Sequence, residues 1–230
     1  MPITFVSSNS SVIGVGATCV ITAPASMSTG DFMLALVLAR TGIENSISAP
    51  DANWATYVQS TYVGTTGVSS IWSKTATADD VTAAGFSFSV STGTNRGVLV
   101  AFRGQTDTGS FRDETVLANA ATTQAAYTAA ASHTSGGAVI FAACNRIATV
   151  FSSHSLSGES VTFTQIVSGL SGSGMSFDVA WGTTTLNGNL GTGLATLSAT
   201  ARVNAYMALL STTGAGATVF IRVGMLKGLG

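Results

Sequence analysis

Charge is what this chain has least of. Nine Lys and Arg and ten Asp and Glu make up 8% of its 230 residues, against about 25% in an ordinary soluble domain. A net charge of −1 provides no field to draw the chain toward nucleic acid or a membrane surface. Long apolar runs are missing too. The longest, Phe32 to Ala39, is eight residues, far below the roughly 20 of a membrane-spanning helix. The start, Met1-Pro2-Ile3-Thr4-Phe5-Val6, has neither a basic segment nor a long apolar one. No secretory signal is expected, so the chain should act where it is made or leave by cell lysis. Cys19 and Cys144 each sit in an apolar, strand-like stretch. They read as buried free thiols, since free Cys behaves as a small hydrophobe, with a disulfide as the alternative.

Reactive groupings are equally scarce. There is no Cys/His cluster of zinc spacing and no calcium loop, so no metal is expected. Gly14-Val15-Gly16 and Gly191-Thr192-Gly193 lack the rest of any nucleotide signature, so no cofactor is expected. The segment from Gly169 to Gly174 has the wrong spacing for a serine-hydrolase elbow. Asp79-Asp80 and Asp113-Glu114 are sequence neighbours; on a strand they would face opposite sides, unlike the paired carboxylates of a glycosidase. His133 and His154 lie in Ser/Thr-rich stretches and read as loop histidines without a role. The expectation is a protein that is not an enzyme.

What is present is hydrophobic and pleated. With 46% hydrophobic residues and a mean hydropathy of +0.44, the chain can bury enough surface to fold. Phe86, Phe88 and Val90 alternate with serines, and Met175, Phe177, Val179 and Trp181 alternate with Ser176, Asp178 and Ala180. Both patterns predict strands with one wet face. Phe32–Ala39 and Ala138–Cys144 are apolar on both faces, as central strands are. Gly-rich turns separate these runs and only three prolines occur, which predicts an all-β, antiparallel β-sandwich, jelly-roll-like. One short helix is expected at Thr77-Ala78-Asp79-Asp80, with Thr or Asp as N-cap.

The chain also repeats itself. Ile21-Thr22-Ala23 through Gly30, with the apolar strand ending at Arg40, matches Tyr127-Thr128-Ala129 through Gly136, with the strand ending at Arg146. Trp72 and Trp181 lie in similar segments, and Arg96 answers Arg202. Ordered matches of this kind predict two similar halves. They comprise an N-terminal β half (1–104), a connection (105–125), a C-terminal β half packed on the first as one unit (126–211), and a terminal extension (212–230). The extension contains Thr218-Val219-Phe220-Ile221-Arg222-Val223-Gly224-Met225-Leu226, which reads as an extra strand, within the fold or added to a neighbouring subunit.

Several of these segments carry a resemblance. Gly30-Asp31-Phe32-Met33-Leu34-Ala35, Pro50 leading to Trp54, Ile71-Trp72-Ser73-Lys74-Thr75-Ala76, Gly85-Phe86-Ser87-Phe88 and Ala101-Phe102-Arg103-Gly104 follow one another in an order that resembles a β-sandwich pattern of tailed bacteriophages and prophages. Asp51-Ala52-Asn53 stands where that pattern has a proline-glycine pair. The resemblance implies a structural component of a virion, made in the host cytoplasm: a tail or head fibre, spike, collar or capsid decoration subunit. It would act by assembly and display, with copies of itself and other virion proteins as partners.

A surface so poor in charge offers little repulsion between molecules, and the centres of interfaces are depleted of charge. Both considerations favour a homo-oligomer, such as a trimer or a ring in a particle. The alternative is a carbohydrate- or receptor-binding module of a phage adhesion device that contacts a host surface glycan. Trp54 would offer a ring to a sugar, and Asn53, Asn187 and Asn189 would supply hydrogen bonds. A hydrolase acting on envelope polysaccharide is the remaining reading. Strand-end arginines, Arg103 among them, are expected to pair with Asp31, Glu44 or Asp178.

Overall fold

The computed structural model describes residues 2–40, 46–61, 67–104, 111–128, 132–133, 137–145, 149–169, 174–184, 188–189 and 191–211. The protein is all-β, antiparallel and sandwich-like, with one six-stranded sheet from each half of the chain. The first half contributes β1 (Thr4–Ser10), β2 (Gly14–Thr22), β3 (Phe32–Arg40), β4 (Ala55–Thr61), β5 (Val68–Thr75) and β6 (Gly85–Arg103). A single helical turn, α1 (Ala78–Thr82), precedes β6. The second half contributes β7 (Phe111–Thr128), β8 (Ser132–His133), β9 (Gly137–Asn145), β10 (Phe151–Leu156), β11 (Thr164–Ser168), β12 (Ser176–Thr184), β13 (Gly188–Asn189) and β14 (Thr192–Ser211). β8 and β13 form a separate ribbon.

The two sheets share one plan. β1 and β2 run end to end along one side of β6, from Thr4 opposite Arg103 to Thr22 opposite Gly85. β7 runs likewise along β14, from Phe111 opposite Leu209 to Thr128 opposite Thr192. Beyond the long strand lie β3 or β9, then β5 or β12, then β4 or β11. Even a bulge recurs, between Thr56 and Val58 in β4 and between Gln165 and Val167 in β11. β10 pairs with the start of β14, and the isolated Ser48–Ser89 bridge holds the corresponding place on β6. Most of the stretch 105–125, expected as the connection between the halves, lies in β7. Its Ala- and Thr-rich sequence lacks clean alternation, and pairing with β14 decides its conformation. The extension 212–230 lies outside the described residues.

Both long strands bend. Ile21 is paired with Phe86, yet a Cβ added to Gly97, far along the same strand, would sit 2.5 Å from Ile21 Cδ1. Phe141 is paired with Met207, yet a Cβ on Gly193 would sit 2.4 Å from its ring. Only glycine admits such close approach. Each sheet therefore curls around a private core. In the first, Cys19, Ile21, Phe86 and Phe88 cover Met33, Ala35, Val37 and Leu99. In the second, Phe151, Ala195 and Leu197 cover Val139, Phe141 and Met207. A shared core lies between the halves, where Leu34, Leu36, Leu38, Val100 and Phe102 meet Ile140, Ala142, Phe177 and Val179. β3 and β9 alternate between a private core and the shared one, which is why neither has a polar face.

Residues 86–90 follow the predicted alternation, with the apolar side chains buried and Ser87 and Ser89 exposed. β12 departs from it. Ser176, Asp178 and Ala180 are buried as well, because the curled sheet covers the side that alternation assigns to water. Trp72 and Trp181 are not equivalent. Trp72, opposite Ala35, turns into the first private core, whereas Trp181, opposite Ile140, packs against the shared core, its ring 5.8 Å from Phe102. A one-residue slip in the repeat exchanges faces. Thr77 caps α1 in a reciprocal capping box with Asp80. Cys19 and Cys144 are buried and form no disulfide. Burial pushes the Cys19 thiol up to about 11, and its contact with Ser11 offsets only part of this.

Candidate functional site

Of the residues read as glycan contacts, Trp54 does not present its ring to solvent. Trp54 is only 4% exposed; its ring stands edge-on to Phe86 and Phe88, with centroids 5.4 Å away in each case. The polar turn before it suggested a surface position, but the two phenylalanines of the curled β6 draw the indole inward. Its Nε1 is buried and has no hydrogen-bond partner among the described residues. Asn53 is exposed, and its backbone N–H donates to Asp51 Oδ1 at 2.7 Å, an ordinary Asx turn. Asn189 belongs to β13, opposite Ser132. Asn187 lies outside the described residues.

Among the described residues, three polar clusters built on charged side chains brace the fold. Lys74 Nζ donates to Asp80 Oδ1 at 2.8 Å and to Asp51 Oδ2 at 2.9 Å, and lies 5.9 Å from the centre of the Trp54 ring. Burial works against both charges of the inner pair. The hydrogen bonds and charges of Asp80 and Asp51 nevertheless hold the Lys74 ammonium above its ordinary range. Lys74 and Thr77 hold the Asp80 carboxyl below its own. This cluster ties α1 and the Asp51 turn to β5. A second ties the turn before β3 to the end of β6. Arg103 grips Asp31 through Nε and Nη2 at 2.8 and 2.7 Å, and Nη2 also donates to the Ser26 carbonyl and Ser28 Oγ. This is one of the expected strand-end pairings.

The third cluster was not legible. Asp178 is fully buried. Its Oδ2 meets His154 Nε2 at 2.7 Å, and its Oδ1 accepts from Gln165 Nε2 at 2.7 Å. Gln165 also donates to the Phe151 carbonyl. The cluster thus joins β10, β11 and β12, and the reading of His154 as a loop residue is corrected. The serines around it conceal a strand whose inward position is polar. An open hollow of about 370 Å³ adjoins it, lined by His154 and residues 155–161. At its rim Glu159 accepts a hydrogen bond from Thr184.

The surface carries a different signal. No charged residue precedes Asp31, so the whole β1–β2 edge is uncharged. Four of the six exposed large hydrophobic residues described lie on it or at its interruption: Val12 (86% exposed), Ile13, Val15 (83%) and Val20. No protein-family model, curated protein or solved structure matches this chain.

Proposed function

We propose that the protein is a structural subunit of a bacteriophage virion, a fibre, spike, collar or decoration component that works by assembly and display. The observation that carries this reading is the uncharged β1–β2 edge and the exposed valines beside it. Such an edge is an association hazard for a free protein and an asset for a permanently assembled one. The order of sequence segments that resembles phage sandwich proteins supports it. The three polar clusters fit it as well, since each is spent on fastening strands and turns. The glycan-binding alternative loses Trp54, its principal contact, to the core.

Light scattering over a dilution series tests the reading, together with mass spectrometry of gradient-purified particles from an induced culture. The expected result is a defined oligomer that persists on dilution and a chain recovered with the particles. A monomer that stays soluble at high concentration and is missing from particles refutes it.

A further inference from the structure

We infer that the β2 part of the β1–β2 edge is completed by the apolar segment 218–226 of a second copy of the chain. This rests on the assembly reading and names the surfaces that carry it.

Among the described residues β1 and β2 hydrogen-bond to no strand other than β6. One row of backbone donors and acceptors is therefore without a strand partner. Natural edges are usually blunted by charged side chains or proline. From Ile3 to Ala23 this edge has neither. The corresponding edge of the second half is β7, whose opening Phe111-Arg112-Asp113-Glu114 carries three charges in succession. The plan of the halves is the same, and of these two corresponding edges only the first lacks charge.

The occupant is indicated by the chain itself. Thr218-Val219-Phe220-Ile221-Arg222-Val223-Gly224-Met225-Leu226 is rich in β-branched and apolar residues, the composition of a strand, and matches β2 in length at nine residues. The geometry favours a second copy. Phe102 of β6 packs on Trp181, which is opposite Ile140, itself opposite Ala208 near the end of β14. β14 thus ends near the Phe102 end of β6, whereas β2 begins opposite Asn95. That separation is roughly 23 Å along the strand at about 3.3 Å per residue, before the step between sheets is added. Seven residues from Ser211 to Thr218 reach about 23–25 Å when fully extended. A chain has no slack to lay this segment along its own β2, and a neighbour has no such limit. Backbone pairing would supply affinity and the exposed valines a contact face, the usual division in strand addition.

The test uses full-length protein. Val15→Cys and Phe220→Cys are prepared separately, mixed, and treated with a short bismaleimide; the native cysteines are buried. The expected product is a cross-linked dimer that forms from the mixture and from neither variant alone. Val20→Lys should abolish it while leaving the circular dichroism unchanged. A link found only within one molecule of the double variant overturns the choice of a second copy. An oligomer that persists in light scattering with no cross-link, or with Val20→Lys without effect, overturns this inference and leaves the assembly reading standing. A monomer at every concentration overturns both.

Discussion

The bend of β6 can be tested with one methyl group. Gly97→Ala places a Cβ 2.5 Å from Ile21 Cδ1 and 3.1 Å from Cys19 Sγ, and both side chains are buried. Two effects compete. Replacing glycine restricts the unfolded chain and stabilises by about 0.4–1 kcal/mol, while forcing extra volume into a packed core costs about 1–3 kcal/mol. Overpacking should win, for a net loss of about 1–2 kcal/mol. Urea unfolding followed by tryptophan fluorescence would then show a midpoint lower by about 0.5 M, taking m near 3 kcal/mol/M. Ile21→Val removes the nearest atom and alone costs about 1 kcal/mol. In the double variant the valine makes room for the new methyl, so the combined loss should fall short of the sum by about 1 kcal/mol. A Gly97→Ala protein as stable as the parent, or strict additivity, would mean that β2 does not lie over Gly97 and that the sheet does not curl as described.

Three further outcomes are expected. Lys74→Met leaves the buried Asp80 carboxylate without its cation and should cost about 3 kcal/mol at neutral pH. Because the Asp80 carboxyl is held low in the fold, its contribution is complete above the ordinary carboxylate range and fades as pH falls through the folded value. The parent should therefore lose stability on acidification below about pH 4, and Lys74→Met should lose less, as read by urea midpoints across pH. Asp178→Ala removes the partner of both His154 and Gln165, costs about 3 kcal/mol, and lowers the melting temperature by roughly 6–12 °C; a change under 2 °C in a circular-dichroism melt would contradict the bracing role. An aromatic disulfide reagent should find no fast thiol in the native protein and both thiols in urea, because Cys19 is buried with its pKa raised and Cys144 is buried too.

Much of the fold was legible because it rests on local pattern. Phe86–Val90 alternates and β6 obeys. Phe32–Ala39 is apolar throughout and β3 is covered on both sides. Thr77 with Asp80 three residues later spells a capped turn, and it is one. The failures share one cause, which is curvature. The sheet's return over itself has no signature in a period-2 pattern, so the polar side of Met175–Trp181 reads as wet although it faces a core. For the same reason Trp54, after a polar turn, reads equally as half-buried packing or contact surface, although Phe86 and Phe88 enclose it. His154 escaped notice because its partners Gln165 and Asp178 come from other strands, and nothing local to Ser152-Ser153-His154-Ser155 announces them. β7 was hidden because its conformation is set by the strand it borders.

Two sheets of one plan that press matching strands together have a further meaning. Were the covalent joint between the halves cut, Leu34, Leu36, Leu38 and Phe102 would be a greasy docking face, and the pair would stay together only as concentration allowed. Continuity of the backbone replaces that dependence with a fixed local concentration of the millimolar order. The tandem arrangement is in effect a dimer that cannot be diluted apart, and the first half has to wait for the second before it is shielded.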